Sequence, residues 1–193
     1  MSAVLELIWQ GSYGATTIDQ ICEKAGVKKG SFYYFFDSKS DLAAAALETS
    51  WQARRPELDG IFSPTIPPLD RLRRFCEFGY KQQVALKCQC GCVMGCPIFA
   101  LGSEICNQEV NLHTKIKEIL GHYHTYIESA IRDAHAAALI HAPNPAAKAR
   151  MLFAYSEGLM TQARIVNDTE VLLEMADGMM GILGTKPAVA GAA

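Results

Sequence analysis

Four cysteines stand within nine positions, Cys88, Cys90, Cys92 and Cys96, in the stretch KCQCGCVMGCPIF at residues 87–99. Thiols at that density invite metal binding, disulfide formation or attack on a reactive chemical. The Cys-x-Cys-x-Cys spacing of 88, 90 and 92 suits a soft metal such as Cu(I) or Zn(II). Structural zinc sites, however, use repeated Cys-x2-Cys pairs, and this chain has none. His113, His122 and His124 would have to complete a site, and nothing in the sequence aligns them with the cysteines. No metal and no cofactor is therefore assigned. Cys96 and Cys106 are ten residues apart. On one straight helix that separation is about 15 Å along the axis and about 80° in azimuth. A disulfide needs Cα atoms within roughly 7 Å, so the two do not bridge without breaking the helix.

Pro97 suits the first turn of a helix. It places Cys96 at or near the N-cap, where the positive end of the helix dipole favours a thiolate. A thiolate is what electrophiles and oxidants attack. Cys96 is the best single candidate for a reactive thiol, with Cys106 as a second sensor cysteine and the thiols of 88–92 as resolving partners. The competing reading is that Cys96 only fills a gap, the commonest fate of a free cysteine.

The elements that must position these thiols are helical. The chain has 193 residues, half of them hydrophobic, with formal net charge −2. That suffices for a core in one or two small domains. It excludes a generic polyanion binder, so any nucleic-acid surface has to be a local patch. There is no signal peptide, and no apolar run reaches the roughly 18 residues of a membrane span. A cytoplasmic location, no membrane partner and reduced cysteines are expected. No Ser-His-Asp order, phosphate loop, dinucleotide fingerprint or Cys-x-x-Cys motif is present, so the chain does not read as an enzyme.

Three- and four-residue apolar spacing recurs throughout and strand signals are nearly absent. The fold class is all-α, about nine helices. Short helices are expected over 4–11, 17–25 and 28–35, with Thr17 and Gln20 forming a capping box and Gly26 closing the second. Longer ones follow at 39–54, 69–86, 97–106, 109–138, 146–166 and 168–183, with the cysteines 88, 90 and 92 in the turn after residue 86. The chain divides into residues 1–50, residues 51–185 and a tail at 186–193.

Residues 17–36 read TIDQICEKAGVKKGSFYYFF. Two short helices flank a tight turn at Ala25-Gly26-Val27, the layout of a helix-turn-helix whose second helix enters the major groove. Lys28, Lys29, Gly30, Ser31, Tyr33 and Tyr34 give that helix a basic, polar, aromatic face suited to phosphate oxygens and base edges. Lys39 starts the next helix, where free backbone N–H groups also favour an anion.

This segment resembles the DNA-binding domain of TetR-family transcriptional regulators. The match is clearest through YGATTIDQICEKAGVKKGSFYYFFDSKSDL, residues 13–42. The resemblance implies a homodimer on a palindromic double-stranded DNA operator. It implies phosphate contacts at Thr16 or Thr17, Lys28, Tyr33, Tyr34 and Lys39, and base-proximal positions at Lys29, Gly30 and Ser31. Tyr34 stands where many relatives have His. The first helix lacks the stretch, often basic, that the family places before the position of Met1, so a truncated or absent arm is expected. GCPIFALGSEIC (95–106) is similar to one branch of the family that includes electrophile- and oxidant-responsive repressors and binders of small organic molecules.

The remaining helices are then an effector-binding and dimerisation bundle. Candidate pocket residues are Phe78, Phe99, His113, Tyr123, Tyr155, Gln162 and Arg164, for an unknown small-molecule or electrophile effector. Candidate interface residues on the last two helices are Gly158, Ile165, Leu172, Met175 and Met179. The function implied is a dimeric regulator, a repressor released by an effector or by cysteine modification. The alternatives are a metal-responsive regulator of the same fold, or a thiol-based redox enzyme.

Overall fold

A computed structural model describes residues 2–105 and 109–185. Among these residues the chain is all-helical, with nine α-helices and no strand. In chain order they are α1 (Ser2–Gln10), α2 (Ile18–Ala25), α3 (Lys29–Phe35), α4 (Lys39–Ile61), α5 (Pro68–Cys90), α6 (Pro97–Ile105), α7 (Val110–Ala136), α8 (Pro145–Val166) and α9 (Met175–Ile182). A single 3-10 segment, Glu170–Glu174, replaces the start of the continuous last helix expected from 168. None of these helices is long and apolar enough to cross a membrane.

Local sequence explains most of the boundaries. Thr17 caps α2 and forms a capping box with Gln20, and Gly26 ends the helix in the left-handed region at φ 67°. Asn144 caps the start of α8 and Asn167 closes its end, also left-handed, at φ 53°. Two helices outrun their expected ends. α4 runs through Pro56 to Ile61, because Leu58 and Phe62 are buried and hold its last turns against the core. α5 runs to Cys90, because nothing before Gly91 interrupts it. Gly91, at φ 76°, takes the left-handed cap and donates its N–H to the Lys87 carbonyl at 2.9 Å. Cys88 and Cys90 therefore lie in the last turn of α5, and only Cys92 of those three lies in the turn beyond it.

The compact units cut the chain differently from a split at residue 50. The first takes in residues 1–56 with 96–121; the second takes in 57–95 with 122–193. In the first, α1, α2, α3 and the start of α4 bury Val4, Ile8, Ile21, Phe32, Leu47 and Trp51. α6 joins them by packing on α1, with Ile98, Leu101 and Ile105 buried. Gly102 lets α6 approach α7 closely, since a Cβ there would lie 3.3 Å from Ile116 Cγ2.

In the second unit the core runs through Leu72, Ile127, Ile131, Leu152, Leu172, Met175 and Met179. Arg71, though buried, is fully engaged: it donates to the carbonyls of Ile66 and Pro64 and pairs with Asp133 at 2.5 Å. It thereby ties the proline-rich connection at 64–67 to α5 and α7. α8 and α9 come so close that a Cβ at Gly178 would overlap the Tyr155 phenol.

Candidate nucleic-acid interface

The turn between α2 and α3 leaves one face of α3 bare. Phe32 is buried and anchors the helix from behind. Lys28, Lys29, Gly30, Ser31, Tyr33 and Tyr34 are all exposed, and Tyr34 keeps 81 % of its accessible surface. Tyr33 meets Phe32 edge-on at 5.0 Å, and Tyr34 meets Phe35 edge-on at 4.8 Å, so the two phenols stand on an aromatic support. Phe35, which the sequence reading did not single out, is 71 % exposed beside them. Lys28 is the N-cap residue of α3. Lys29 pairs with Asp19 of α2 at 2.8 Å, which holds its ammonium above the usual lysine range. A short helix presenting cations, hydroxyls and backbone N–H groups on an uncovered face can bind phosphate and read groove edges.

Two residues expected on this face turn toward the fold. Thr16 is buried, and its hydroxyl donates to the Ser12 carbonyl at 2.7 Å, so Thr17 alone of the pair remains exposed. Lys39 is half-buried. Its ammonium donates to the carbonyls of Tyr13 and Thr16 at 2.7 and 2.9 Å and lies 4.1 Å from the centre of the Tyr13 ring. Burial and the nearby Glu109 carboxylate push the Tyr13 phenol up to about 12, so the ring beneath the ammonium stays neutral.

The loop from Gly11 to Thr17 has a second anchor that gave no signal in the sequence. Glu104, near the end of α6, accepts the backbone N–H groups of Tyr13 and Gly14 at 2.8 and 2.6 Å. Partial burial pushes its carboxyl up, but those two N–H groups, the Ser12 hydroxyl and the Lys39 charge outweigh it. The group is held below the usual glutamate range.

Cys96 sits at the other end of the same helix. It is half-buried, and its carbonyl accepts the Ala100 N–H at 3.1 Å, as the residue before the first helical turn should. Cys106 lies outside the described residues. Cys88 and Cys90 are exposed; Cys22 and Cys76 are buried. Burial pushes the Cys76 thiol up to about 12, so it carries no thiolate near neutral pH. Among the described residues no group of three or more His, Cys, Asp or Glu is placed to hold a metal ion.

The turn before Cys96 is built on two amides. Gln83, buried on α5, accepts the N–H groups of Met94 and Gly95 at 3.1 and 2.9 Å and donates to the Gly95 carbonyl at 3.1 Å. Asn167 accepts the Val93 N–H at 2.9 Å, and Lys87 donates to the Asn167 carbonyl at 2.7 Å. The signal for Gln83 was present: it is a polar residue on the buried stripe of Leu72 and Cys76, at helical spacing.

The seven expected pocket residues do not gather in one unit. Phe99 and His113 belong to the first, the other five to the second. Tyr123 is buried and stacks on Phe153 at 5.5 Å, a core role. The Tyr155 ring fills the space over Gly178. Gln162 is exposed, and Arg164 is half-buried with its stem packed over Gly95. Phe78 lines an open groove of about 650 Å³ with Glu57, Ile61, Arg74 and Lys81.

The expected interface divides as well. Leu172, Met175 and Met179 are at most 2 % exposed and belong to the chain's own core, where Met179 meets Cys76. They have no surface left for a partner. Gly158 and Ile165 do face outward, and Ile165 is 76 % exposed. With Met151, Ala154 and Thr161 they form an uncovered strip along α8 at three- and four-residue spacing.

Comparison with known proteins supplies what geometry alone does not. The family profile "Bacterial regulatory proteins, tetR family" matches residues 1–46. "Tetracyclin repressor-like, C-terminal domain" matches residues 68–179. The HTH-type transcriptional repressor NemR of Escherichia coli K12 is 26 % identical over 188 residues, spanning 95 % of this chain and 91 % of that one. An HTH-type transcriptional regulator of Lactococcus lactis, from the lacX 3′ region, is 32 % identical, and that match covers 49 % of each chain. Among solved structures, a regulatory protein TetR from Rhodobacter sphaeroides superposes with TM-score 0.80 at 25 % identity, covering 92 % of this chain and 93 % of that one. The reduced form of E. coli NemR superposes with TM-score 0.78 at 20 % identity, covering 97 % and 96 %.

Proposed function

The chain belongs to the tetR family of bacterial regulatory proteins, a DNA-binding transcriptional regulator, and from that premise we propose that it is a homodimeric repressor released from a palindromic operator through Cys96. The observation that carries the reading is α6 itself. One end begins at Cys96, and the other, at Glu104, holds the loop that leads into the DNA-reading helices. A thiolate at a helix N-terminus is favoured by the dipole, and an adduct there replaces a small polar atom with a bulky group. The match to a repressor over nearly the whole chain supports the direction of control.

Release of this kind needs two head arrangements with different DNA affinity, and modification must favour the weaker binder. The α3 face supplies the DNA side. Lys28→Ala is expected to weaken binding to promoter and random DNA alike. It should lower the slope of log affinity against log salt by about one, as loss of a single phosphate contact does. An unchanged slope would place Lys28 off the DNA.

The reading is tested with a duplex from the protein's own promoter region, challenged with N-ethylmaleimide and with hydrogen peroxide. Expected is tight, promoter-specific binding that either reagent abolishes, and Cys96→Ser protein that stays bound. Binding no tighter than to random DNA sinks the regulator reading. Release that persists in Cys96→Ser moves the trigger to another group, the exposed Cys88 and Cys90 first.

A further inference from the structure

Lys39 and Glu104 grip one short loop from opposite chemical sides. The loop between α1 and α2 offers Glu104 two N–H groups, those of Tyr13 and Gly14. It offers Lys39 two carbonyls, those of Tyr13 and Thr16. Tyr13 therefore has both its backbone polar groups bound to ionised side chains, while its own ring lies under the Lys39 ammonium. The next residue after this grip, Thr17, is the N-cap of α2. Charge-assisted hydrogen bonds to backbone are short and directional, so the two side chains fix where α2 starts and, through the Gly26 turn, where α3 points. The loop itself contributes the buried Tyr13 ring and the Thr16 hydroxyl, which bonds the Ser12 carbonyl; its other side chains, Ser12 and Ala15, are not buried.

We propose that Glu104 is a positioning residue of the DNA-reading head, acting on α2 and α3 through the loop that Lys39 holds from the other side. The proposal rests on the regulator reading above and adds to it the residue that sets the reading orientation. Lys39 keeps its charge and a third N–H beyond its two carbonyl partners, so its grip on the loop stands beside the phosphate contact that its place at the start of α4 suggests.

The two roles separate by salt and by sequence. A phosphate contact adds to the salt slope and acts on every DNA; a positioning residue adds nothing to the slope and acts only where the head must fit a particular site. Promoter and random duplexes are titrated between about 50 and 200 mM salt with the wild type, Glu104→Gln and Gly14→Ala. Glutamine keeps one acceptor but turns an N–H group toward the other donor. Gly14→Ala perturbs the same contact from the far side, setting a Cβ 3.2 Å from the Glu104 oxygen, and guards against a glutamine variant that fails to fold.

Expected is an affinity loss on the order of tenfold for the promoter, the scale of one charge-assisted hydrogen bond, with random-DNA affinity and salt slope as in wild type. Wild-type promoter affinity in both Glu104→Gln and Gly14→Ala overturns the role of Glu104. Random-DNA affinity that falls as far as promoter affinity in both variants overturns it too, since a positioning residue acts only where the head must fit a particular site. Wild-type protein that does not distinguish the promoter from random DNA overturns the regulator reading instead, and this one with it.

Discussion

Ile165→Asp is expected to turn the proposed dimer into a monomer and to cost operator affinity by a factor of about 10² to 10⁴. That factor is the scale of the effective-concentration term lost when two linked DNA heads become independent. The prediction is large because the position is cheap for the protomer. Ile165 is 76 % exposed within the single chain, so an aspartate there disturbs no intramolecular packing. The cost appears only when a second copy covers the α8 strip of Met151, Ala154, Gly158, Thr161 and Ile165, where a carboxylate would be buried without a partner. Light scattering should return 21.1 kDa for the variant and twice that for the wild type. Circular dichroism should show unchanged helix content. A variant that stays dimeric and binds its operator normally would remove this strip from the interface.

That strip also shows what periodicity conveys and what it withholds. The spacing of Leu172, Met175 and Met179 announces a buried face, and the face is buried; spacing does not say against what. The chain's own α5 takes it, with Cys76 against Met179. On α8 the two sides were legible only in part. Gly158 and Ile165 are small or apolar residues with no intramolecular claim on them, while Leu152, Phe153 and Ala163 on the opposite side pack inward.

Signals confined to one turn of helix were readable as they stood. Thr17 and Gln20 form their capping box three residues apart, and Gly26 and Gly91 end helices where a left-handed residue is required. The exposed α3 face follows from the same local logic, since one buried Phe32 fixes which side of so short a helix is free. Contacts between distant residues were not readable. A lysine at a helix start looks the same whether it meets a phosphate or the carbonyls of Tyr13 and Thr16. Glu104 reaches backbone about ninety positions away, and its side chain reads as an ordinary surface charge. Cys88 and Cys90 seemed to mark a loop because cysteine density suggests a site, yet a helix stops at the first residue that breaks it, here Gly91.

Gln83→Leu is expected to destabilise the protein by about 3 to 5 kcal/mol, the cost of stranding several buried backbone groups at once. One side-chain amide serves the N–H groups of Met94 and Gly95 and the Gly95 carbonyl, and Gln83, Met94 and Gly95 are all buried. Leucine matches the glutamine in bulk but satisfies none of the three, so the turn must open to water or remain unpaired. For a chain of this length the loss corresponds to a fall in Tm of roughly 10 °C. Gln83→Glu separates hydrogen bonding from packing. As a neutral acid, the form that burial favours, it keeps an acceptor for both N–H groups and an O–H for the Gly95 carbonyl, so its Tm should fall between those of the wild type and the leucine variant and move toward wild type as the pH is lowered. The functional consequence lies in the next residue of the chain, Cys96. An opened turn frees the backbone that leads into α6, and the thiols of Cys92 and Cys96 should react faster with a chromogenic disulfide in Gln83→Leu than in wild type, at a temperature where both are folded. Equal thiol rates with a lowered Tm would mean that Gln83 stabilises the bundle but does not hold the cysteine in place.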